Sequence, residues 1–552
     1  MTNQNDNFYW NDPKGSPRRV MYKAAGLSDV DIRTKLHIGI ANSFMEGSPG
    51  TAHLRHIAEA VKQGVWAAGG MPVEFGIPAT CGNVSNGAEE IKYELVARDV
   101  VAMSVEFVTK VHHFDALIIL ASCDNIIAGG YLAAARLDIP TIIVTGGSMQ
   151  TGNCCGKSVV AADLDIAVLK DDIEGLNLLE ESVCPSYGAC PSMGTANTMQ
   201  ILGEVLNLVL PGTASIPAAD NLKLRKSREA GSFIVDLAKR GIKPSELITK
   251  EVLRNAIMVD MAIAGSTNAV LHILTMAIEL DLDITIDDFD RLSDQIKCIS
   301  GVIPSGPYSV IDFYNAGGVL SVMKQLETKL YLDVPTLLGC NLKELLTNVK
   351  VDEKSDVIRS LSNPYYEKPG LKILKGNLSV CGAIVRPTGV PDAMSHFKGK
   401  AKTFNHELLA FQAIESGKIK PGDIMIIRYE GCKGAPGMKE IMLATDALVA
   451  KGLDNSVGLI TDARFSGFNH GAIIGHVSPE AYEGGTIALV EDGDLIEVDI
   501  PKGLIHLDVT DEILAERKRN WTRPEPKVKK GVLTTYANTC RPAHEGGAIQ
   551  DW

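Results

Sequence analysis

The chain has 552 residues, 45% hydrophobic and 22% charged, too long for a single core, so two or more domains are expected. A formal net charge of -13 argues against nucleic acid or an anionic membrane as partner, and no apolar stretch is long enough to span a bilayer. Its 11 cysteines are an odd number spread over a large chain, which is not a disulfide framework. With a polar N-terminus lacking a signal-peptide core, they predict a cytoplasmic protein.

In chain order, residues 1–35 read as a polar arm with some helix. A strand is expected over 36–42, then a loop over 43–50. Leu54, Ile57, Ala58, Val61 and Val65 have the spacing of an amphipathic helix over 51–68, ended by Gly69 and Gly70. A strand over 71–75, a loop holding Cys81, and a helix over 89–111 follow. The run 115–121 is apolar throughout, the pattern of a strand buried on both faces. A helix over 126–137 and a strand over 140–145 complete a βαβ unit. Ligands of such sheets sit at the carboxyl ends of the strands, and here the first of those loops carries Cys123 and Asp124. A thiol beside a carboxylate suits a soft metal and a hard one together. The plainer reading is a small buried cysteine and a helix-capping aspartate.

The loop 184–195 holds Cys190 just before a helix over 196–209, a place that favours thiolate. Residues 215–250 read as helix in pieces. The apolar stretch 251–281 is broken at 264–268, where Ser266, Thr267 and Asn268 either aim backbone amides at an anion or cap the next helix. A charged Asn/Pro stretch at 350–370 reads as a linker. Beyond it, short strands over 378–385, 424–429, 458–461, 486–489 and 495–498 are separated by glycine turns. The fold class is therefore α/β: an N-terminal parallel-sheet domain over 1–365 and a β-rich, barrel-like domain over 366–552.

Five ordered motifs between about residues 38 and 536 resemble the dihydroxy-acid dehydratase and phosphogluconate dehydratase family. They are Cys123-Asp124 at a strand end, the segment from Gly188 to Met199 around Cys190, Gly265 to His272, Arg428 to Met438, and Arg464-Phe465-Ser466-Gly467. The resemblance implies an enzyme, a hydro-lyase that removes water from a 2,3-dihydroxy carboxylic acid to give a 2-keto acid. The expected substrate is the branched-chain amino-acid type, with a sugar acid next. It also implies an iron–sulfur cluster (2Fe-2S or 4Fe-4S) acting on the leaving 3-hydroxyl, Mg²⁺ on the carboxylate and 2-hydroxyl, a serine base, and a homodimer or dimer of dimers.

Carried over by position, the family's cluster cysteines fall on Cys123, Cys190 and Gly50. Its Mg²⁺ carboxylates fall on Gly82, Asp124 and Glu440, its carbamylated lysine on Asn125, and its serine base on Ser466. One cluster ligand and two Mg²⁺ ligands are thus absent together. In one reading the site has moved: Cys81 supplies the third thiolate, and Asp124 and Glu440, with Asn83 or Glu89, hold Mg²⁺. In the other the site has decayed, leaving a cluster-free, inactive paralogue that binds an acid ligand or a protein partner. Ser466, Asp124, Glu440, Cys123 and Cys190 all remain, which favours the first. Ser266, Thr267, Asn268 and Arg464 are the expected substrate contacts, and Arg428 and Lys433 are further candidates to pair with a carboxylate.

Overall fold

The computed structural model describes residues 10–170, 172–468 and 470–549. Residues 1–9 of the polar arm lie outside the described residues. The N-terminal unit is built on four parallel strands: β1 (His37–Asn42), β2 (Met71–Gly76), β3 (Ala116–Ala121) and β4 (Thr141–Thr145), in the order β2-β1-β3-β4. All six residues of β3 are buried, as a two-sided apolar run demands. Alternate side chains serve opposite faces. Ile38, Ile40, Ile118 and Ile142 pack with Leu54, Ile57 and Val61 of α1 (Leu54–Ala67) and with Ile234 and Val235 of a second helix, Asn221–Arg240. Leu117, Ile119 and Ile143 pack on the other side. Their partners are Val101 and Val105 of α2 (Tyr93–His112) and Ile127 and Tyr131 of α3 (Asp124–Leu137). Each such side chain contributes about 1.5–3 kcal/mol of burial, so the sheet is anchored from both faces.

The break in the apolar stretch separates the helices Lys250–Ala262 and Asn268–Glu279. The helix predicted over 196–209 spans Thr195–Val205 and is α4.

The C-terminal unit is a closed barrel of eight strands. In chain order they are β5 (Lys372–Gly376), β6 (Ser379–Val385), β7 (His396–Phe404), β8 (Asp423–Ile427), β9 (Gly458–Thr461), β10 (Ala472–Ser478), β11 (Leu495–Asp499) and β12 (Leu504–Leu507). Around the barrel the order is β8-β9-β10-β6-β5-β12-β11-β7, with parallel pairs at β7·β8·β9·β10 and antiparallel pairs elsewhere except at β12·β5. Ile424, Ile426, Ile460, Ile474 and Val498 fill its interior. The run 486–489, expected as a strand, is a 3-10 turn, Thr486–Leu489. The Arg428 guanidinium takes the carbonyls of Ile487, Ala488 and Val490 at 2.7–3.3 Å, so those groups are not free for a ladder.

The C-terminal segment returns to the first unit. Arg98, fully buried in α2, donates to the Gly546 carbonyl at 2.9 Å, and the Ile549 amide donates to Asp99 at 3.1 Å. A second tie is Lys439, 2.6 Å from Glu89 and 3.2 Å from Glu407. These contacts tie the C-terminal segment to α2 and the Lys439 loop to the loop after β2.

Candidate active site between the sheet and the barrel

Cys123 caps α3 and Asp124 is its first residue, held at φ +32°, a conformation that L side chains rarely adopt. The following Asn125 is fully buried, and its amide donates to Asp124 Oδ1 at 3.2 Å. At the position of the family's lysine the chain therefore supplies a neutral donor to Asp124 in place of an anionic ligand. Burial pushes the Asp124 carboxyl up to about 7, reinforced by Glu440 and Glu94 and opposed by Arg464 and the Thr195 hydroxyl.

Three thiols come from three loops. Cys81 lies in the loop after β2, Cys123 after β3, and Cys190 ahead of α4. The Cys190 loop is pinned by Asn197, whose amide donates to the carbonyls of Cys190 and Ser192 at 2.5 and 2.8 Å. Cys123 is 8% exposed; burial raises its thiol well above the usual range, and the Cys81 and Cys190 thiols add to the shift. Cys190 is pushed up to about 12 by burial and then by Cys81 and Cys184. Five residues ahead of α4, its thiol gains less from the helix end than it loses to burial. Burial also raises Cys81, against hydrogen bonds from the Asn83 and Val84 backbone. The Asn83 amide reaches Cys190 Sγ at 3.6 Å. Cys184 is exposed.

The two glycines at the lost ligand positions stand at this site. A β-carbon at Gly50 would overlap Cys123 Sγ, and the Gly188 amide donates to the Pro49 carbonyl at 2.8 Å, joining this loop to that of Cys190. A β-carbon at Gly82 would lie 3.8 Å from Asp124 Oδ2 and 3.9 Å from Glu94 Cγ.

Asp124, Cys190, Glu94, Glu440, Ser466 and Thr195 share the wall of one cavity of about 340 Å³. Glu440 pairs with Arg464 at 3.1 Å, and Arg464 is fully buried and also donates to the Met438 carbonyl at 2.9 Å. Ser466 follows a two-residue bridge, Arg464–Phe465 against Glu440–Ile441, and its Oγ accepts the Phe468 amide at 3.2 Å. Among the described residues no three His, Cys, Asp or Glu side chains are already drawn together as a metal cage.

Ser266, Thr267 and Asn268 stand behind this wall. The Ser266 and Thr195 hydroxyls are 2.7 Å apart, and the Asn268 amide donates to Thr195 Oγ1 at 3.0 Å. Arg464 likewise stands behind Glu440. Glu89 is turned away, on Lys439, Lys92 and His406. Burial raises its carboxyl, but Lys439 and Lys92 outweigh that and hold it down to about 2. Arg428 spends its guanidinium on backbone carbonyls, and Lys433 pairs with Glu483 at 3.4 Å.

Sequence reasoning missed Glu94, Thr195, Ser192 and Asp446 in the cavity wall. Glu94 carried one available signal: it is a carboxylate beside Leu95 and Val96 on the inward face of a helix, only 5% exposed.

A family model described as dihydroxy-acid/6-phosphogluconate dehydratase N-terminal matches residues 35–345, and its C-terminal counterpart matches residues 356–547. The chain is 43% identical to a dihydroxy-acid dehydratase of Caldanaerobacter subterraneus subsp. tengcongensis, over 97% of each protein. It is 43% identical to one of Methanococcus aeolicus, over 97% of this chain and 98% of the relative, and 41% identical to one of Ignicoccus hospitalis, over 98% of each. The chain belongs to the dihydroxy-acid/6-phosphogluconate dehydratase family and is a hydro-lyase.

Proposed function

We propose that the protein dehydrates a 2,3-dihydroxy carboxylic acid to the 2-keto acid, and that its substrate is the branched dihydroxy acid of valine and isoleucine synthesis. The observation that carries this reading is the shared cavity: Cys190 and Asp124 reach it from residues 1–365, the division proposed for the first domain, and Glu440 and Ser466 from residues 366–552. Identity of 41–43% to dihydroxy-acid dehydratases along nearly the whole chain supports it.

Cys81, Cys123 and Cys190 would hold the iron–sulfur cluster, and Asp124 and Glu440 the Mg²⁺. The donor chemistry suits them: thiols from three neighbouring loops, those of Cys81 and Cys190 linked by the Asn83 amide 3.6 Å from Cys190 Sγ, beside the hard carboxylate oxygens of the cavity wall. When bound, these groups supply Lewis acidity at the leaving hydroxyl and at the substrate carboxylate. The chain supplies the rest. Ser466 Oγ, as the alkoxide, takes the C2 proton while the C3 hydroxyl departs and leaves as water, and the Phe468 amide aimed at that oxygen favours its negative charge. Thr195, set by Ser266 and Asn268, and Arg464, acting through Glu440, orient the acid end. Thr267 belongs to the same supporting turn. A homodimer in a cytoplasm completes the reading.

A sugar acid is the second substrate reading. Asp165 and Asp446 line the same cavity, and burial raises both carboxyls, Asp446 to about 7. Protonated or not, they suit extra hydroxyls better than an alkyl group.

The test is anaerobic purification, iron and sulfide analysis, and a screen of branched and sugar dihydroxy acids for 2-keto acid release. Stoichiometric iron and sulfide with turnover of the branched acid is expected. Turnover of sugar acids alone replaces the substrate. Iron-free, colourless protein without turnover replaces the whole reading with that of a cluster-free binding protein.

A further inference from the structure

We propose that Glu94 is a ligand of a divalent cation in this cavity and takes over the role of the side chain that Gly82 lacks. The proposal rests on the reading that a hard cation binds beside Asp124.

A hard divalent cation takes its charge from carboxylates. At the positions where the family has ligands this chain keeps Asp124 and Glu440 and has a glycine and an asparagine at the other two. Glu94 lies outside those positions, yet its carboxylate occupies the space in question. Residue 82 would direct a side chain between Asp124 and Glu94, its β-carbon 3.8 Å from Asp124 Oδ2 and 4.0 Å from Glu94 Cδ, an ordinary contact distance. A carboxylate at 82 and the carboxylate of Glu94 thus serve the same volume from opposite sides. The Thr80 hydroxyl donates to Glu94 Oε2 at 3.0 Å and orients it.

Charge points the same way. Glu94, Asp124 and Glu440 act on one another electrostatically, and all three line the cavity. Uncompensated charges of one sign out of water are costly. Among the described residues Arg464, on Glu440, is the cation that acts on Glu94 and Asp124, and the cavity wall holds no lysine, arginine or histidine. Arg464 is taken by Glu440, which leaves Glu94 and Asp124 without a cation of their own among the described residues. A separate observation marks the same wall as incomplete without a ligand. Ser192 Oγ is 1% exposed, lines the cavity, and has no hydrogen-bond partner among the described residues.

The experiment is Mn²⁺ titration of anaerobically purified protein, followed by electron paramagnetic resonance and calorimetry. Wild type should bind one Mn²⁺ per chain, displaced by Mg²⁺. Glu94→Gln should weaken binding about 10-fold or more. Gly82→Asp in the Glu94→Gln background should restore much of that loss, which a misfolded variant could not do. Glu89→Gln, on the Lys439 side, should bind as wild type does. Wild-type affinity in Glu94→Gln overturns the inference and leaves the proposed reaction standing. A wild type that binds no Mn²⁺ overturns the inference together with the cation part of that reading, while keto-acid release still tests the reaction by itself.

Discussion

Gly50 faces the sulfur of Cys123 with no room for a side chain: a β-carbon there would overlap Sγ and lie 3.7 Å from Cys123 Cβ. The glycine and the rotamer of Cys123 therefore specify each other. Gly50→Ala should drive Cys123 from its place, destabilise the protein by about 1–3 kcal/mol, and lower its iron content. Thermal unfolding and iron analysis on one preparation check this. An alanine variant with full iron and unchanged unfolding would show that the Cys123 side chain turns aside at no cost.

Cluster retention should depend on three thiols and not on their neighbour. Cys81→Ser should lose iron and sulfide as completely as Cys123→Ser does, and exposed Cys184→Ser should keep both. Full iron and sulfide in Cys81→Ser would sink the assignment of the third ligand.

Ser466→Ala should reduce kcat about 10²–10⁴-fold with little change in KM, because a general base acts on the step and not on binding. The variant should also fail to exchange the substrate C2 proton with deuterated solvent. Exchange at the wild-type rate would move the base to another residue.

Lys439 is 2% exposed and stands between Glu89 and Glu407, and Glu407 is 1% exposed. Lys439→Met should leave Glu407 buried without its cation, at a cost of about 3–5 kcal/mol. Denaturant unfolding measures it. The double variant Lys439→Met/Glu407→Gln should recover much of the loss, and failure to recover would place the cost elsewhere.

Glu480 gives a pH signature. Burial raises its carboxyl to about 8, with Asp462 adding to the shift, while its oxygens accept the Lys433 amide at 2.9 and 3.2 Å. A folded-state value above the unfolded one, near 4.5, means the native state holds the extra proton. The contribution is complete below about 4.5 and is lost as pH rises toward 8. Glu480→Gln keeps an acceptor and removes the titration. Relative to wild type it should gain about 1 kcal/mol or more between pH 5 and pH 8. Parallel stability curves for the two proteins would contradict the shift.

Much of this was legible in the residues. The two-faced apolar run of β3, the spacing of α1 and the run Gly458–Thr461 each predict their element, because burial on both faces or on one stripe leaves a periodic trace. The motifs around Cys123, Cys190 and Ser466 place those residues in loops after strands or before a helix, where they stand. Short apolar runs are less determinate. Residues 486–489 look like a strand, but their backbone polar groups meet Arg428, 60 positions away at Ala488. The tertiary structure alone decided what no local pattern encodes: that burial overrides the helix end at Cys190, that Glu89 spends its charge on Lys439, and that Glu94 turns toward Asp124 across the space beside Gly82. Local sequence sets which backbone conformations are cheap. Desolvation and charge pairing depend on which distant side chains close around a group, and those are settled only when the sheet and the barrel meet.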